Sequence, residues 1–402
     1  MEVFLARQPI FTLEKKIFGY ELLFRLGLEN AFPDVDGNAA TSTLVSNIFF
    51  PFDFNEILGG KPGLINFTEK LILQKIPLLL SKDHFIIEVL EDIEPNENVI
   101  SALSLFCEKG FTIALDDFVY HKKFLPMIEL CKIIKFDLRA MPLDGLFDIV
   151  KQIKSDYKIT LLAEKVETYE EFDQAEEMGF ELFQGYFFSK PEVLSTTGIS
   201  SGQITKLKLI NEVGRKELIL KNVEKLIKND AAVSFKLLRF INSAYFNRQN
   251  PINTIKDAIT YLGTNELRKF ISIVVISDLS TKKPNELVRT SIIRARMCER
   301  CGTVLNTRFS IDELFTLGLF SLMDAILDCK MEDILEQIVL SEKMETALFG
   351  RDKEFKIILN IVKSFEQGNW KNAFFTAISG KSIETKLPEF YFDSVKMANS
   401  FF

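Results

Sequence analysis

Histidine is scarce in this chain. Of its 402 residues, His84 and His121 are the two histidines, and both lie in the first half. A metal site that depends on histidine ligands is therefore excluded from the second half. Cysteine is also sparse: the five cysteines are too few and too scattered for a disulfide framework, and they fit a reducing cytoplasm.

Long apolar runs and an excess of positive charge are missing as well. No stretch reaches 18 uncharged apolar residues, and the N-terminal MEVFLARQPIF lacks the basic region and apolar run of a signal peptide. The formal net charge of −7 argues against a general nucleic-acid-binding surface. We therefore predict a cytoplasmic protein without membrane insertion, and its length predicts two domains.

The two halves of the chain differ in hydrophobic periodicity. Up to about residue 192, short apolar runs alternate with amphipathic segments, which predicts parallel β–α units and favours a (β/α)8 barrel over an open sheet. The predicted strands are 3–11, 18–24, 63–67, 85–91, 111–118, 131–138, 159–166 and 183–188. Apolar residues beyond residue 205 recur at helical spacing, for example in 230–246, 264–279, 312–330 and 353–368. We predict a barrel domain over 1–192, a linker over 193–205 and an all-helical domain over 206–402.

Polar side chains follow the apolar runs of seven predicted strands. In IALDDFVY, Asp116 and Asp117 end an apolar strand, where repulsion and desolvation oppose leaving two carboxylates unpaired. The other strands carry Glu21, Asn66, Glu88, Glu91, Lys135, Asp137, Glu164, Glu167 and Gln184. The C-terminal ends of parallel strands converge on one mouth of a barrel, and an oxygen-rich set without histidine suits Mg²⁺ or Mn²⁺. Any one of these carboxylates is compatible with a solvated strand end or an ion pair, and it is their recurrence that favours a functional site.

The order of these motifs resembles the EAL domain. The chain reads QPI, GYELLFR, NFT, EVLE, ALDDF, KFD, AEKVE and QGYFFSKP, in order, through residues 1–192. The resemblance implies a (β/α)8 barrel that hydrolyses or binds cyclic di-GMP. It also implies roles for individual residues: metal binding by Glu21, Asn66, Glu88, Asp116 and Asp117; a water-holding lysine, Lys135; a general base, Glu164; nucleotide contacts from Gln8, Arg25 and Gln184; and supporting roles for Glu91 and Glu167.

Three positions depart from the EAL pattern. Leu22 stands where the signature tripeptide has alanine. Val119 follows the DDF motif where active members have glycine, and it removes the freedom to adopt positive φ. Lys165 replaces a glycine next to Glu164, and we expect its ammonium to lower the pKa of Glu164 and weaken it as a base.

The helical half resembles the HDOD domain, a relative of the HD phosphohydrolases. The resemblance is carried by NDAAVSFKLLRFINSAYF, with its Asn242-Ser243 pair, and by INTIKDAITYLG, which ends in Leu262-Gly263. Ser321 stands where an HD enzyme has a metal-binding histidine, so the resemblance implies an output or protein-interaction module and no second enzyme. Cys298 and Cys301 are predicted to be packed thiols, because no further cysteine pair or histidine completes a zinc site.

Two hypotheses follow for the whole chain. The first is a Mg²⁺- or Mn²⁺-dependent phosphodiesterase that opens cyclic di-GMP to linear pGpG and carries a non-catalytic HDOD module. The alternative is an inactive adaptor that binds cyclic di-GMP or a protein partner without turnover. Both expect an unidentified protein partner for the HDOD domain. A homodimer is a further expectation, because active EAL barrels commonly dimerise through the loop that is altered here.

Overall fold

The computed structural model describes residues 4–25, 54–190, 210, 220–229, 231–246, 249–280, 283–369 and 383–402. The chain divides into two compact units. One contains Met1–Phe187 and Glu366–Lys371, and the other contains Phe188–Phe365 and Asn372–Phe402. The predicted linker, 193–205, lies outside the described residues.

Eight strands of the first unit close into a barrel in chain order, as predicted. They are β1 (Phe4–Thr12), β2 (Ile17–Arg25), β3 (Gly63–Phe67), β4 (Phe85–Val89), β5 (Ile113–Leu115), β6 (Ile133–Asp137), β7 (Thr160–Glu164) and β8 (Leu182–Gln184). Every residue of β3, β4 and β5 is buried, because these strands are covered on both faces. Their sequences therefore read as continuous apolar runs, interrupted by single polar residues that face the barrel interior.

Strand β1 departs from the parallel arrangement that the alternation of strands and helices predicts. It pairs antiparallel with both β2 and β8, whereas β2 to β8 pair in parallel. The reason is the short connection: only residues 13–16 separate β1 from β2, which suffices for a hairpin but not for a parallel crossover. In this ladder Gln8, in the middle of β1, lies opposite Glu21. The residue that β1 contributes to the mouth is therefore Gln8.

Six described helices accompany the strands of the barrel. They are α1 (Phe54–Leu58), α2 (Glu69–Leu73), α3 (Glu97–Glu108), α4 (Leu125–Ile128), α5 (Leu143–Asp156) and α6 (Tyr169–Met178). The side chain of Asn96 caps α3 by accepting a hydrogen bond from Val99 N, and Thr168 caps α6 in the same way. Phe172 of α6 packs on Phe183 of β8 with ring centroids 4.1 Å apart, which anchors the helix on the sheet.

The barrel interior is arranged in an apolar layer below a polar one. The apolar layer consists of Ile10, Leu64, Ile86, Ala114, Ile133, Leu162 and Leu182, which form one buried cluster. Residues two apart along a strand face the same side. The residues two positions further along β3 to β8 therefore face the interior as well, and these are Asn66, Glu88, Asp116, Lys135, Glu164 and Gln184. The polar layer lies at the C-terminal ends of the strands, which is the mouth of the barrel.

The second unit is helical, as predicted. Its described helices are α7 (Leu220–Asn229), α8 (Ala231–Ile241), α9 (Ile255–Leu279), α10 (Asn285–Gly302), α11 (Ile311–Phe320), α12 (Met323–Leu327), α13 (Met331–Leu335), α14 (Glu342–Leu348), α15 (Lys353–Glu366) and α16 (Leu387–Asn399). Gly263 interrupts α9 with φ +71°, at the predicted Leu262-Gly263 turn. The helix predicted over 312–330 is two helices, because Ser321 ends α11 and Leu322 leaves helical geometry before α12.

Two motifs of the helical half have structural roles. The Asn242 side chain accepts a hydrogen bond from Ile252 N and donates one to Ile252 O, both at 2.8 Å, and so ties the end of α8 to the segment before α9. Cys298 and Cys301 are fully buried in α10, which agrees with their prediction as packed thiols. A search of the described helices found none long and apolar enough to cross a membrane.

Candidate functional site

Lys135 lies at the centre of the polar layer and contacts four carboxylates from four other strands. Its Nζ is 2.7 Å from Asp116 Oδ1, 2.7 Å from Glu164 Oε1 and 3.3 Å from Glu21 Oε2, and it also contacts Glu88 Oε1. Lys135 itself is fully buried. One ammonium therefore serves four acids, and the cluster carries an excess of negative charge when all its members are ionised.

Two side-chain amides orient the carboxylate of Glu21. Asn66 Nδ2 donates to Glu21 Oε1 at 3.1 Å, and Gln184 Nε2 donates to Glu21 Oε2 at 2.7 Å. Gln184 Nε2 also lies 2.9 Å from Gln8 Oε1, which joins strands β1, β2 and β8 at the mouth. Because both Glu21 oxygens accept hydrogen bonds from amides, the amide oxygens of Asn66 and Gln184 point elsewhere.

Burial of the cluster changes the proton affinity of its members. Desolvation raises the pKa of both Glu88 and Glu164 well above the usual range, although the nearby Lys135 ammonium opposes the shift. Desolvation lowers the pKa of Lys135, but the surrounding carboxylates outweigh it and raise that pKa well above the usual value. The lysine therefore stays charged. The negative charge of the acids that it does not neutralise must be balanced either by protons or by a further cation.

Several buried oxygens at the barrel mouth have no hydrogen-bond partner among the described residues. These atoms are Asn66 Oδ1, Glu88 Oε2, Asp117 Oδ1 and Gln184 Oε1. In addition, Asp116, Asp117 and Glu164 each place one carboxylate oxygen within 4.8 Å of the other two. Unsatisfied buried oxygens are costly, and carboxylate and amide oxygens are the ligands that Mg²⁺ takes in proteins. The donor set thus fits a divalent cation.

The backbone at Asp117 brings the second carboxylate of the DD pair to the mouth. In a regular strand, adjacent side chains point to opposite faces. Asp117 has φ +38°, a left-handed conformation that ends this alternation directly after β5. The turn is held by two hydrogen bonds, from Asp116 N to Val89 O and from Phe118 N to Lys135 O, both 2.9 Å long. The side chains of Asp116 and Asp117, although adjacent in sequence, therefore both lie at the barrel mouth.

Of the expectations about departures from the EAL pattern, the one about Lys165 is wrong and the one about Val119 stays a prediction. Val119 is not among the residues with positive φ, and its side chain is 60% exposed. Lys165 does not control Glu164: its ammonium pairs with Asp137 Oδ2, and burial raises the pKa of Glu164 where a lowered pKa was predicted. The lysine that contacts Glu164 is Lys135, 2.7 Å away.

The remaining predicted site residues lie at the rim or outside the described part. Glu167 is exposed, and its backbone N donates to Glu171 Oε2. Glu91 lines a cavity of about 160 Å³ together with Asp116 and Asp117, and partial burial raises its pKa. The Arg25 side chain lies outside the described residues. Their predicted roles remain predictions.

Asp137 is a rim residue to which the sequence assigned no role. It was recognised as a strand-end acid, but the sequence did not show that its carboxylate pairs with Lys165. The signal that could have found the pair is the parallel register of β6 and β7, in which Asp137 lies beside Glu164.

Comparisons with known proteins agree with this architecture. One family model, the EAL domain, matches residues 60–191, and a second, the HDOD domain, matches residues 204–354. The chain is 36% identical over 373 residues to the cyclic di-GMP phosphodiesterase CdgJ of Vibrio cholerae, covering 92% of this chain and 86% of that protein. It is 33% identical over 381 residues to the uncharacterized protein YuxH of Bacillus subtilis, covering 92% of each. The solved structure of the EAL-domain protein YkuI from Bacillus subtilis, in complex with cyclic di-GMP and calcium, aligns with a TM-score of 0.38 at 21% identity, covering 66% of this chain and 73% of that one.

Proposed function

Because this chain belongs to the EAL–HDOD family, we propose that its barrel is a metal-dependent phosphodiesterase that hydrolyses cyclic di-GMP to linear pGpG. The observation that carries the proposal is the polar layer at the barrel mouth. Four acids surround one buried lysine there, and several of the layer's oxygens have no partner within the described residues. The relative from Vibrio cholerae bears the name of this activity.

The same layer offers the ligands for the metal. Glu21, Asn66, Glu88 and Asp116 would hold one Mg²⁺ or Mn²⁺ ion, and Asp117 with Asp116 would hold a second. This assignment is supported by the unpartnered oxygens of Asn66, Glu88 and Asp117. Bound there, such ions lower the pKa of water and neutralise negative charge on a phosphodiester.

The protein's own side chains would move the proton and hold the substrate. Glu164 accepts a proton from the attacking water, a role that suits a carboxylate whose pKa is raised by burial. Lys135 orients that water and stabilises the developing hydroxide. The water oxygen forms a bond to phosphorus, the bond from phosphorus to the ribose 3′ oxygen breaks, and this oxygen takes up a proton. Gln8, Arg25 and Gln184 hold the nucleotide.

One observation favours the second candidate, a non-catalytic adaptor. Lys135 Nζ contacts an oxygen of each of four acids, so the ammonium partly neutralises the cluster by itself. In an adaptor this arrangement would hold the barrel together, and the HDOD unit would carry the function through a protein partner. A protein partner, a homodimer and a cytoplasmic location remain predictions for both candidates.

Turnover of cyclic di-GMP by the full-length protein, with Mg²⁺ and with Mn²⁺, tests the proposal. We expect linear pGpG from the wild type and a loss of 10²- to 10⁴-fold in Glu164→Ala, on the order of the contribution of general base catalysis. Glu177→Ala, which removes an exposed carboxylate of α6 with no predicted role at the site, serves as the matched control.

Absence of pGpG from the wild type at saturating metal and nucleotide would overturn the enzyme and leave the adaptor. Thermal unfolding with cyclic di-GMP then identifies which adaptor it is, because a ligand that binds only the folded state must raise stability.

A further inference from the structure

We propose that Lys165 binds a phosphate group of the barrel's anionic ligand, and that Asp137 holds the Lys165 ammonium while no anion is bound. Lys165 is then a specificity-determining residue of the mouth. The inference rests on the proposed function for the identity of the ligand, cyclic di-GMP.

The position of Lys165 places a cation next in sequence to Glu164, the proposed general base. It follows Glu164 at the end of β7, and Asp137 lies beside Glu164 in the parallel ladder at the end of β6. Lys165 Nζ contacts Asp137 Oδ2, yet the Lys165 side chain remains 55% exposed. The ammonium is thus tethered at the rim and accessible to a ligand from solvent.

Asp137 can keep its position when the lysine leaves. Its second oxygen, Oδ1, accepts a hydrogen bond of 2.7 Å from the backbone N of Arg139. The Lys165 side chain is 55% exposed and the Asp137 side chain 9%, so an anion from solvent can approach this ion pair from the side of the lysine. A phosphate oxygen offers the ammonium a charge-assisted hydrogen bond of the same kind, so an arriving anion can replace Asp137.

The backbone of Lys165 favours a role for its side chain. Lys165 has φ +55°, a conformation that costs free energy for lysine and none for glycine. Five non-glycine residues in the described part of the chain have positive φ, and two of them, Asp117 and Lys165, lie at the mouth. Strained backbone of this kind clusters at functional sites.

The electrostatics of the mouth explain why such a cation is useful. Asp117, Asp137 and Glu164 all interact with the Lys165 ammonium, and although desolvation opposes them, together they raise its pKa. Lys135 is fully buried among acids, and the Arg139 guanidinium pairs with Glu171. An anionic ligand that approaches this acidic rim therefore meets an exposed, charged ammonium at Lys165.

Binding of a hydrolysis-resistant phosphorothioate analogue of cyclic di-GMP to the Mg²⁺-loaded, full-length protein tests the proposal. We expect Lys165→Gln to weaken binding about tenfold at low salt and to reduce the salt dependence of the Kd, since one charge-assisted contact is lost. Lys154→Gln is the matched control: it removes one ammonium, paired with Glu181, on the side where β8 begins, away from the mouth. Equal affinities for Lys165→Gln and wild type would overturn the proposal.

A double-mutant cycle tests the role of Asp137. Asp137→Asn should tighten binding in the wild-type background, because it releases Lys165, and should do so much less in the Lys165→Gln background. An equal gain in both backgrounds would mean that Asp137 affects binding only through its own charge. That result would overturn the proposal that the Lys165 ammonium moves from Asp137 to phosphate.

A further experiment distinguishes failure of this proposal from failure of the proposed function. If the wild type does not bind the nucleotide, the phosphodiesterase proposal fails, and Lys165 is tested with inorganic phosphate in the presence of Mg²⁺. A phosphate-induced rise in Tm that is present in wild type and lost in Lys165→Gln would support Lys165 as an anion-binding residue. No rise in wild type, or the same rise in both, would overturn it.

Discussion

Both units of this chain bury charged side chains, but they balance them differently. Among the described residues of the barrel mouth, one cation, Lys135, contacts the carboxylates of Glu21, Glu88, Asp116 and Glu164. In the helical unit, three cations share four acids: Lys269, Arg296 and Arg300 with Glu266, Glu299, Asp312 and Asp393. None of the atoms in this second network is among the described buried atoms without a partner, whereas four at the barrel mouth are.

The difference separates a structural ion network from a candidate functional one. In the helical unit, Arg296 joins Glu299 of its own helix, α10, to Asp393 of α16, both at 2.7 Å, so the network connects helices with nearly balanced charge. In the barrel, the described residues leave an excess of acid, which a bound cation or protons can balance. Four predictions test this comparison.

The largest expected effect comes from removing the central lysine of each network. Lys135→Met leaves four buried acids without their ammonium, and we expect the metal-free barrel to lose roughly 3–5 kcal/mol of unfolding free energy. Mg²⁺ should restore part of this loss, because it supplies the missing positive charge. Unfolding of the full-length protein with and without Mg²⁺ measures both effects.

The matched variant is Lys269→Met, whose lysine is bound to Glu266 and Glu299. It should also destabilise its unit, but Mg²⁺ should not restore stability. Recovery of the Lys269 variant by Mg²⁺, or none for the Lys135 variant, would contradict the comparison.

The next effect is stabilisation of the wild type by the metal itself. At a concentration about 100 times the Kd, Mg²⁺ or Mn²⁺ should raise the unfolding free energy by about 2.7 kcal/mol, because it binds the folded state. Glu88→Gln should lose most of this gain, and Glu299→Gln, which changes the balanced network, should keep it. Thermal unfolding during a metal titration provides the measurement, and an unchanged response in Glu88→Gln would count against the proposed ligand.

A smaller effect is the loss of stability when a glycine at a close backbone contact is replaced by alanine. Each unit offers one such glycine. A Cβ at Gly185 would lie 2.1 Å from Val166 O, and φ at Gly185 is +148°. A Cβ at Gly318 would lie 2.6 Å from Arg294 O, where α11 packs on α10. We expect alanine at either position to cost roughly 1–3 kcal/mol through overpacking. Gly185→Ala should also weaken nucleotide binding, because it displaces the neighbouring Gln184, whereas Gly318→Ala should leave binding unchanged in a calorimetric titration.

The smallest expected effect is at Val119. Because Val119 is exposed and its φ is not positive, Val119→Gly should change turnover of cyclic di-GMP less than twofold. It should lower the unfolding free energy by no more than about 1 kcal/mol, the usual entropic cost of glycine. A large gain in turnover would show that the loop sequence after Asp117 limits activity after all.

Much of the fold and of the site was predictable because it depends on short-range patterns. The pairs Ile133 with Lys135 and Leu162 with Glu164 show an apolar residue two positions before a polar one, and this spacing alone sets both on one face of a strand. The antiparallel direction of β1 follows from the short connection of residues 13–16, whereas the alternation of strands and helices elsewhere predicts parallel strands. The break between α11 and α12 carries no comparable signal, since serine and leucine, the residue types at positions 321 and 322, also occur within helices.

By itself, the sequence determined the eight strands, the helical second half and the set of residues available at the mouth, because these follow from local periodicity and residue chemistry. Only the tertiary structure decided that Lys135 serves four acids and that Lys165 pairs with Asp137, because each of these contacts joins different strands. It also decided the pKa of Glu164: desolvation depends on how deeply the side chain is buried, and it outweighs the charge of a lysine that is adjacent in sequence.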